Sequence, residues 1–477
     1  MSAEGERRGG ATLGWIGVLF VGLAFAAGAR PLGDNSFLTH LATGRLILDT
    51  GSIPSVDPYT FTSQGDPWVV QSWLASVLYA GLEAWGGPVA IRAAMGTVTA
   101  GVMAGAWVLS RPTSNLLVRT VLCGFVLMVG AATWSERPYM VGLLCLVVFM
   151  GAAEGHVPPW VLVPVGWVWV NVHGSYPLGL VVLFVAATGS RFDKRSNAGD
   201  GRALAWGAGG VILGGVLTPI GPKILVFPLE LLARSDQLRV VAEWQAPDFT
   251  DAGQRILLVE LLVAVVLLVR RPSVRSALLV ALAAGLALTA ARNVAVASVV
   301  LVVPMAACCA GMRGIQATQR LRSPRIAGAA LILAACSMGI VGLRAPDYRL
   351  TRYPVDALAF IRARGVDLGQ VRMGTGDLTG NYVELLYGAT AEPMVFFDDR
   401  FDMHAPDVVE DALGLWQGRP EWRSTTDRWG LDLLLYETDG PVVRLANLAG
   451  WRTLYSDESW TLVCRRGADL GGDLRVC

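Results

Sequence analysis

Long apolar segments separated by short polar connectors fill the first 345 residues of the chain. A helix that crosses a bilayer needs roughly 20 apolar residues, within a range of about 17–25. Eleven segments approach that length and are predicted as spans: 12–29, 89–109, 117–134, 138–153, 158–171, 175–190, 203–219, 255–270, 275–291, 294–312 and 326–343. The pattern predicts an α-helical polytopic membrane protein with about 11 transmembrane helices.

The connectors also predict an orientation. Basic residues cluster at 7–8, 111–119, 191–202, 270–275 and 313–325, and cytoplasmic loops carry an excess of Lys and Arg. With all five clusters in the cytoplasm, eleven spans place the N-terminus inside and the C-terminus outside. Segment 73–85 is apolar but short and carries Glu83, so it is predicted as an interfacial helix on the outer face. The first apolar run exceeds the usual 7–15 residues of a signal peptide, which favours a retained anchor.

Composition agrees with this class. The chain is 53% hydrophobic and 16% charged, with a mean hydropathy of +0.49, which excludes a soluble globular enzyme and a disordered chain. A net charge of +1 gives no sign of a nucleic-acid partner. Five of the seven cysteines fall in predicted spans, whereas Cys464 and Cys477 lie in the tail. There a disulfide is permitted, and an unpaired cysteine in a disordered terminus is the equal alternative.

Two stretches read as water-exposed pieces. Residues 1–345 are predicted to form the transmembrane domain, with a long first external loop at 30–88, and residues 346–477 an extracytoplasmic α/β domain. In the loop, 35–48 reads as an amphipathic helix that stops at Gly51. In the tail, helical patterns at 354–364, 379–388, 405–417 and 420–429 alternate with strand patterns at 394–397, 431–436, 453–455 and 461–464. That alternation favours a largely parallel sheet.

Polar residues at the ends of the predicted spans gather on the outer face. They are Asp34, His40, Arg45, Asp57, Asp66, Glu83, Glu136, Arg137, Asn171, His173, Lys223, Glu230, Glu243, Asp248, Arg292 and Asn293. Charged groups at membrane depth are costly and usually face a cavity or a partner. The sequence therefore predicts that they converge on one external pocket for a polar or phosphorylated substrate.

Structural alternatives remain open at each position. Asp34 also suits a residue that marks the membrane boundary, and Arg137 also suits an anchor at the membrane interface. Asn171 and His173 also suit an inter-helix hydrogen bond. Arg292 and Asn293 also suit helix caps. The acidic run 398–402 is more typical of a turn at a strand end than of a metal site.

These residues and their order resemble a known family. The matching stretches are 34–44, 49–62, 67–74, 137–138, 171–174, 243–249, 292–293, 353–357 and 397–402. The layout resembles the GT-C superfamily of integral-membrane glycosyltransferases, which take sugars from polyprenyl-phosphate carriers, and more closely a bacterial GT-C-like group. The resemblance implies that Asp34 is the catalytic base. Asn35 stands where characterised relatives often have a second acidic residue, and Gln71-Ser72 where the close group has His-Glu.

The mechanism expected on this basis is sugar transfer from a polyprenyl-phosphate-linked donor to a glycan, lipid or protein acceptor at the outer face of the inner (cytoplasmic) membrane. Arg137, His173, Lys223 and Arg292 are the candidates for neutralising the phosphate, because fixed cations stabilise the charge on a departing phosphate. His40 and Asp57 would orient the acceptor or the base. No metal ligand is assigned, and a divalent metal stays an open alternative. Other functions weighed are a non-catalytic binder or transporter of a lipid-linked glycan and a cell-envelope scaffold.

Overall fold

The computed structural model describes residues 3–193, 198–234, 241–312, 324–344, 346–472 and 477. It is 64% helical, with 18 α-helices and one four-stranded sheet among those residues. The chain divides into two compact units. We call residues 1–32 and 82–347 the helical unit, and residues 33–81 and 348–477 the mixed unit. Most of the stretch predicted as the first external loop thus belongs to the same unit as the tail.

Helices α1 and α3–α13 contribute to the helical unit, and its boundary with the mixed unit falls inside α3. Their bounds are α1 (Ala3–Gly28), α3 (Trp73–Leu109), α4 (Leu116–Thr133), α5 (Tyr139–Ala153), α6 (Leu162–Val172), α7 (Tyr176–Phe192), α8 (Ala198–Val216), α9 (Lys223–Ala233), α10 (Ala252–Arg270), α11 (Val274–Thr289), α12 (Val294–Cys308) and α13 (Pro324–Arg344). Short 3₁₀ turns occupy Pro159–Val161, Ala242–Trp244 and Ala291–Asn293.

Each segment predicted as a span overlaps one of these helices. By length and composition, four helical stretches among the described residues are able to cross a membrane: Trp73–Leu109, Leu116–Thr133, Ala252–Arg270 and Ala291–Cys308. Five more are apolar but shorter: Gly14–Gly28, Tyr139–Ala153, Pro159–Val172, Tyr176–Phe192 and Val274–Thr289. These stretches indicate a membrane-associated helical protein, and the count of eleven crossings stays a prediction.

Helix α3 is broken where the sequence separated an interfacial helix from a span. Gly86 and Gly87 leave the helical conformation, and Gly87 has a φ of 65° in the left-handed region that favours glycine. Pro88 follows directly and is well tolerated at the start of a new helix. The element is therefore two helical pieces in sequence, and the interfacial position of the first piece stays a prediction.

Small residues allow helices α6 and α8 to lie close together. A Cβ atom added to Gly166 would come within 2.9 Å of the Gly210 backbone, and one added to Gly210 within 2.3 Å of the Leu162 carbonyl oxygen. Such small-residue contacts are typical of helices that pack within membranes. A side chain at either position would force the two helices apart.

A buried ion cluster joins the ends of four helices in the helical unit. Arg275, near the start of α11, donates to Glu154 at 2.5 Å and to Asp200 at 3.0 Å. Asp193 follows α7 and accepts from the backbone of Val274 and Arg275, which satisfies the first N–H groups of α11. The sequence treated Arg275 as one of a basic loop cluster, but the structure places its side chain in a nearly buried structural contact.

The mixed unit contains α2 (Asn35–Thr50), α14 (Val355–Ala363), α15 (Asp377–Tyr387), α16 (Pro406–Gln417), α17 (Trp422–Arg428) and α18 (Pro441–Leu448). Its strands are β1 (Met373–Thr375), β2 (Leu433–Glu437), β3 (Arg452–Ser456) and β4 (Trp460–Cys464). Strands β2, β3 and β4 match predicted segments, whereas β1 was not predicted. The strand predicted at 394–397 is wrong: this segment is irregular, with one isolated bridge between Thr60 and Val395.

The prediction of a largely parallel sheet is wrong. The strand order is β1-β2-β4-β3, in which β1 and β2 are parallel while β4 is antiparallel to both β2 and β3. The reason lies in the connection between β3 and β4. Asp457 accepts from the backbone of Ser459 and Trp460 at 2.7 Å, which closes a tight turn, and strands joined by a tight turn pair antiparallel.

The two tail cysteines are joined. Cys464, in β4, forms a disulfide with Cys477. Of the two alternatives for these cysteines, the structure has the bonded one. The five other cysteines of the chain are free thiols.

Candidate functional site

Asp34 is the N-cap of helix α2. Its backbone is extended, and its carboxylate oxygen Oδ1 accepts a hydrogen bond from the Ser36 amide at 3.1 Å. An aspartate in this position satisfies one of the N–H groups left open at a helix start. Asp34 as a whole residue is half-buried.

Helix α2 also carries His40, whose Nδ1 shares a hydrogen bond with the Ser76 hydroxyl at 3.1 Å. Ser76 lies in the first piece of α3, within the mixed unit. Gly44, one turn later on α2, abuts the Ser76 carbonyl so closely that an added Cβ would lie 1.9 Å away. The close approach of the two helices therefore fixes the His40 side chain.

Sequence reasoning missed a stripe of polar residues on helix α15. The Asn35 amide donates to Asp377 at 3.0 Å, and the Asn381 amide donates to the Asn35 carbonyl at the same distance. The backbone amide of Asp399 donates to Asn381 in turn. Residues 377, 381 and 384 are spaced i, i+4 and i+7, so they share one face of the helix. That spacing of polar residues was the signal available in the sequence.

The stripe places a carboxylate beside Asn35. Asn35 stands where the resemblance expects a second acidic residue, and its amide is held by Asp377 from the tail. Burial raises the pKa of Asp377 above its usual range, which favours its neutral form. Among the described residues, no group of three or more His, Cys, Asp or Glu side chains is arranged to hold a metal ion.

Asp57 lies in a buried ion network. Its carboxylate accepts from the backbone amides of Tyr59 and Thr60, from the Thr60 hydroxyl, and from Arg400 at 2.6 Å. Asp57 is only 2% exposed. These contacts hold the loop to the tail within the mixed unit, and a contact with substrate stays a prediction for Asp57.

Asp398 and His404 complete this network around Arg400. Asp398 accepts from Arg400 at 2.5 Å and contacts His404 at 3.2 Å. Burial alone would raise the pKa of Asp398, but Arg400 and His404 outweigh it and hold that pKa well below its usual range. The acidic run 398–402 is thus a turn built around an internal arginine.

Glu384 borders the same network, and its pKa is shifted in the opposite direction to that of Asp398. It is fully buried, with a carboxylate oxygen 3.8 Å from Arg400. Burial, with the nearby charge of Asp398, raises its pKa well above the usual range. The network therefore combines a Glu384 whose neutral form is favoured with an Asp398 whose ionised form is favoured.

A second group of predicted residues meets in the helical unit. Arg137 lies between α4 and α5, Glu243 in the 3₁₀ turn before α10, and Arg292 between α11 and α12. Arg137 donates to the carboxylate of Glu243, and Arg292 lies 3.9 Å from the other oxygen of that carboxylate. The side chains of Arg137, Arg292 and Glu243 are 29%, 28% and 34% exposed.

Aromatic side chains fix the surroundings of these residues. The Arg292 guanidinium lies over the Trp244 ring, 4.3 Å from its centroid, in a cation–π contact. Tyr139 packs edge-on against His173 at 6.4 Å between ring centroids, and Glu243 and Arg137 are within electrostatic reach of its hydroxyl. We call Arg137, Glu243, Trp244 and Arg292 the Glu243 cluster. It carries two positive charges and one negative charge on a partly exposed surface.

The remaining predicted residues have other surroundings in the described part of the helical unit. Asn171 is fully buried, and its amide donates to the carbonyls of Trp167 and Gly214, which is the inter-helix hydrogen bonding left open above. The Asn293 amide donates to the Leu286 carbonyl, as a cap would. Lys223 is exposed at the first position of α9.

Comparison with known proteins adds no assignment. No family model matches the sequence, and no curated protein matches it. What the arrangement can do chemically therefore rests on its geometry. The Glu243 cluster suits an anion that bridges two guanidinium groups, because paired arginines bind phosphate oxygens well. Asp34 places a carboxylate, a group able to accept a proton, at a half-buried helix start.

Proposed function

We propose that this protein is a membrane glycosyltransferase that moves a sugar from a polyprenyl-phosphate donor to an acceptor at the outer face of the cytoplasmic membrane. The polyprenyl chain is taken up from the bilayer, and the acceptor is a glycan, lipid or protein hydroxyl or amine. No nucleic acid takes part. The fold proposed for this function has eleven transmembrane helices and an extracytoplasmic C-terminal domain.

The observation that carries the proposal is the pair of guanidinium groups on Glu243. Transfer breaks the bond between the sugar C1 and the phosphate oxygen, so negative charge develops on the departing polyprenyl phosphate. Two fixed cations from separate connectors supply the stabilisation that such a leaving group needs. A purely structural anchor has no use for a partly exposed site with excess positive charge.

Asp34 is proposed as the general base. As the new bond forms between C1 and the acceptor atom, the acceptor proton passes to the Asp34 carboxylate. A positioned base contributes about 10²–10⁴-fold to the rate of such a step. Its carboxylate oxygen Oδ1 accepts the helix-cap hydrogen bond from the Ser36 amide, which positions the side chain at the start of α2.

Two features support the membrane topology. Four helical stretches have the length and composition of spans. The disulfide between Cys464 and Cys477 fits a compartment that is oxidising, as the outside of the cytoplasmic membrane is, because cytosolic thiols are kept reduced.

The test uses the full chain in lipid nanodiscs with a radiolabelled hexosyl or pentosyl polyprenyl phosphate and a membrane extract as the acceptor source. We expect Asp34→Asn to reduce transfer at least 10²-fold while donor binding persists. Asp49→Asn is the matched control, because Asp49 is exposed on the same helix. Wild-type turnover by Asp34→Asn would remove Asp34 from the mechanism. Binding of the donor without transfer by the wild-type chain would instead support a binder or transporter.

A further inference from the structure

Glu243 occupies the place between two arginines that an anionic ligand would take. One carboxylate oxygen accepts from Arg137, and the other lies 3.9 Å from Arg292. A carboxylate and a phosphate offer guanidinium groups the same kind of contact, with two oxygens that accept in parallel. The contact of Glu243 with Arg292 is the longer and therefore the weaker of the two.

The arginines and the glutamate are held differently. Arg292 is oriented by the Trp244 ring. The 3₁₀ turn that contains Arg292 is also held to the connector that follows Glu243, because the Ala291 amide donates to the Gln245 carbonyl at 2.9 Å. The backbone next to Glu243 is held by the hydrogen bond from Trp244 to Val241 at 3.0 Å. The carboxylate itself extends on a flexible side chain that is 34% exposed. It can therefore rotate away while both turns keep their positions.

We propose that Glu243 is a replaceable internal anion, which neutralises the arginine pair while the site is empty and gives way to a prenyl phosphate. This inference rests on the proposed function, since it assigns the phosphate of the donor to Arg137 and Arg292. The exchange is one anion for another, so the arginine pair keeps a counter-charge throughout.

The consequence of such an exchange is faster release of product. Transfer leaves a prenyl monophosphate, which carries more negative charge than the donor diester and would stay longest on two bare guanidinium groups. A carboxylate on the same backbone turn competes for both arginines at high local concentration. Glu243 thereby weakens the binding of product without removing the cations that stabilise the leaving group.

The experiment measures binding of farnesyl monophosphate to the full chain in nanodiscs by calorimetry, with release rates from stopped-flow displacement. We expect Glu243→Gln to bind about tenfold more tightly and to release more slowly, because a charge-assisted contact that competed with the ligand is gone. Arg137→Gln and Arg292→Gln should bind at least tenfold more weakly. Glu243→Asp keeps the charge with a shorter reach, and its affinity should fall between those of the wild type and Glu243→Gln.

Asp251→Asn is the matched control, because Asp251 is exposed at the end of the same connector and accepts from the Gln254 amide as the N-cap of α10. Inorganic phosphate is the second probe, and equal gains for both probes would identify a general anion site that needs no prenyl chain. If the wild type transfers sugar but Glu243→Gln binds farnesyl phosphate no more tightly, the role of Glu243 as a replaceable anion is overturned and the proposed function stands. Absence of farnesyl phosphate binding in every variant would overturn it together with the proposed donor.

Discussion

The guanidinium of Arg400 donates to the carboxylate of Asp57 at 2.6 Å, across a sequence separation of 343 residues. Both side chains are almost fully buried. The contact ties the loop after α2 to the turn before α16, and both belong to the mixed unit. It lies at the centre of a network whose charges are satisfied by each other, so its members are expected to be sensitive to substitution.

Arg400→Met should strongly destabilise the mixed unit. The substitution leaves Asp57 and Asp398 buried without their cation, and loss of one partner of a buried ion pair costs about 3–5 kcal/mol. Thermal unfolding of the full chain, followed by limited proteolysis of the tail, measures the effect. Arg444→Met is the control, because the pair of Arg444 with Asp439 is exposed. Equal stability of the two variants would show that the network contributes little.

Glu384→Gln should make the mixed unit more stable at alkaline pH. The pKa of Glu384 is raised in the folded chain, so the folded state holds a proton that the unfolded state loses above its ordinary pKa of about 4.3. Stability therefore falls as the pH rises from that value towards the raised pKa. Glutamine stays neutral at every pH, so the variant lacks this pH-dependent loss of stability.

Hydrogen exchange of peptides that cover β2, measured between pH 5 and pH 9, checks the expectation for Glu384. The variant should gain protection over the wild type as the pH rises, with allowance for the pH dependence of intrinsic exchange. Glu410→Gln is the control, because the Glu410 side chain is exposed on α16. The lowered pKa of Asp398 does not disturb this measurement. The ionised Asp398 carboxylate stabilises the fold above about pH 3.9, and that stabilisation is lost only as the pH falls below this value. A variant with the wild-type pH profile would contradict the raised pKa of Glu384.

Asn381→Ala should loosen the start of α2. The substitution removes the donor to the Asn35 carbonyl and the acceptor of the Asp399 amide, and each buried group left unsatisfied costs about 1–3 kcal/mol. Faster exchange of the Asp399 amide reports the loss. Asn381→Asp retains the acceptor and should keep that amide protected. If both variants exchange alike, Asn381 does not hold this segment.

Thiol counting tests the disulfide. A maleimide–polymer gel shift of the full chain, denatured without reductant, should add five polymers, because five of its seven cysteines are free. After reduction the count should rise to seven. Cys477→Ser should give six before and after reduction, since it frees Cys464. Seven additions before reduction would show that the bond is absent.

The sequence alone predicted most of the helices, but not α9 or α18. These helices follow from local features, which depend only on neighbours within a few residues and can be interpreted without a fold. The features are the lengths of the apolar runs, the helix break at Gly86-Gly87-Pro88, and the helical patterns at 354–364 and 405–417. The tight turn at Asp457 was equally local, but the prediction of a parallel sheet overlooked it. Arg137, Glu243 and Arg292 were identified as candidates by residue type and by position near predicted span ends.

Only the tertiary structure decided which of those candidates contact one another. Glu243 could have met any cation, and its choice of Arg137 and Arg292 follows from how three connectors pack. Asp377, Asn381 and Glu384 gained their importance because one face of α15 packs towards α2 and the loop. Ion pairs and hydrogen bonds act over a few ångströms, and residues hundreds of positions apart come within that range only through the packing of the whole unit.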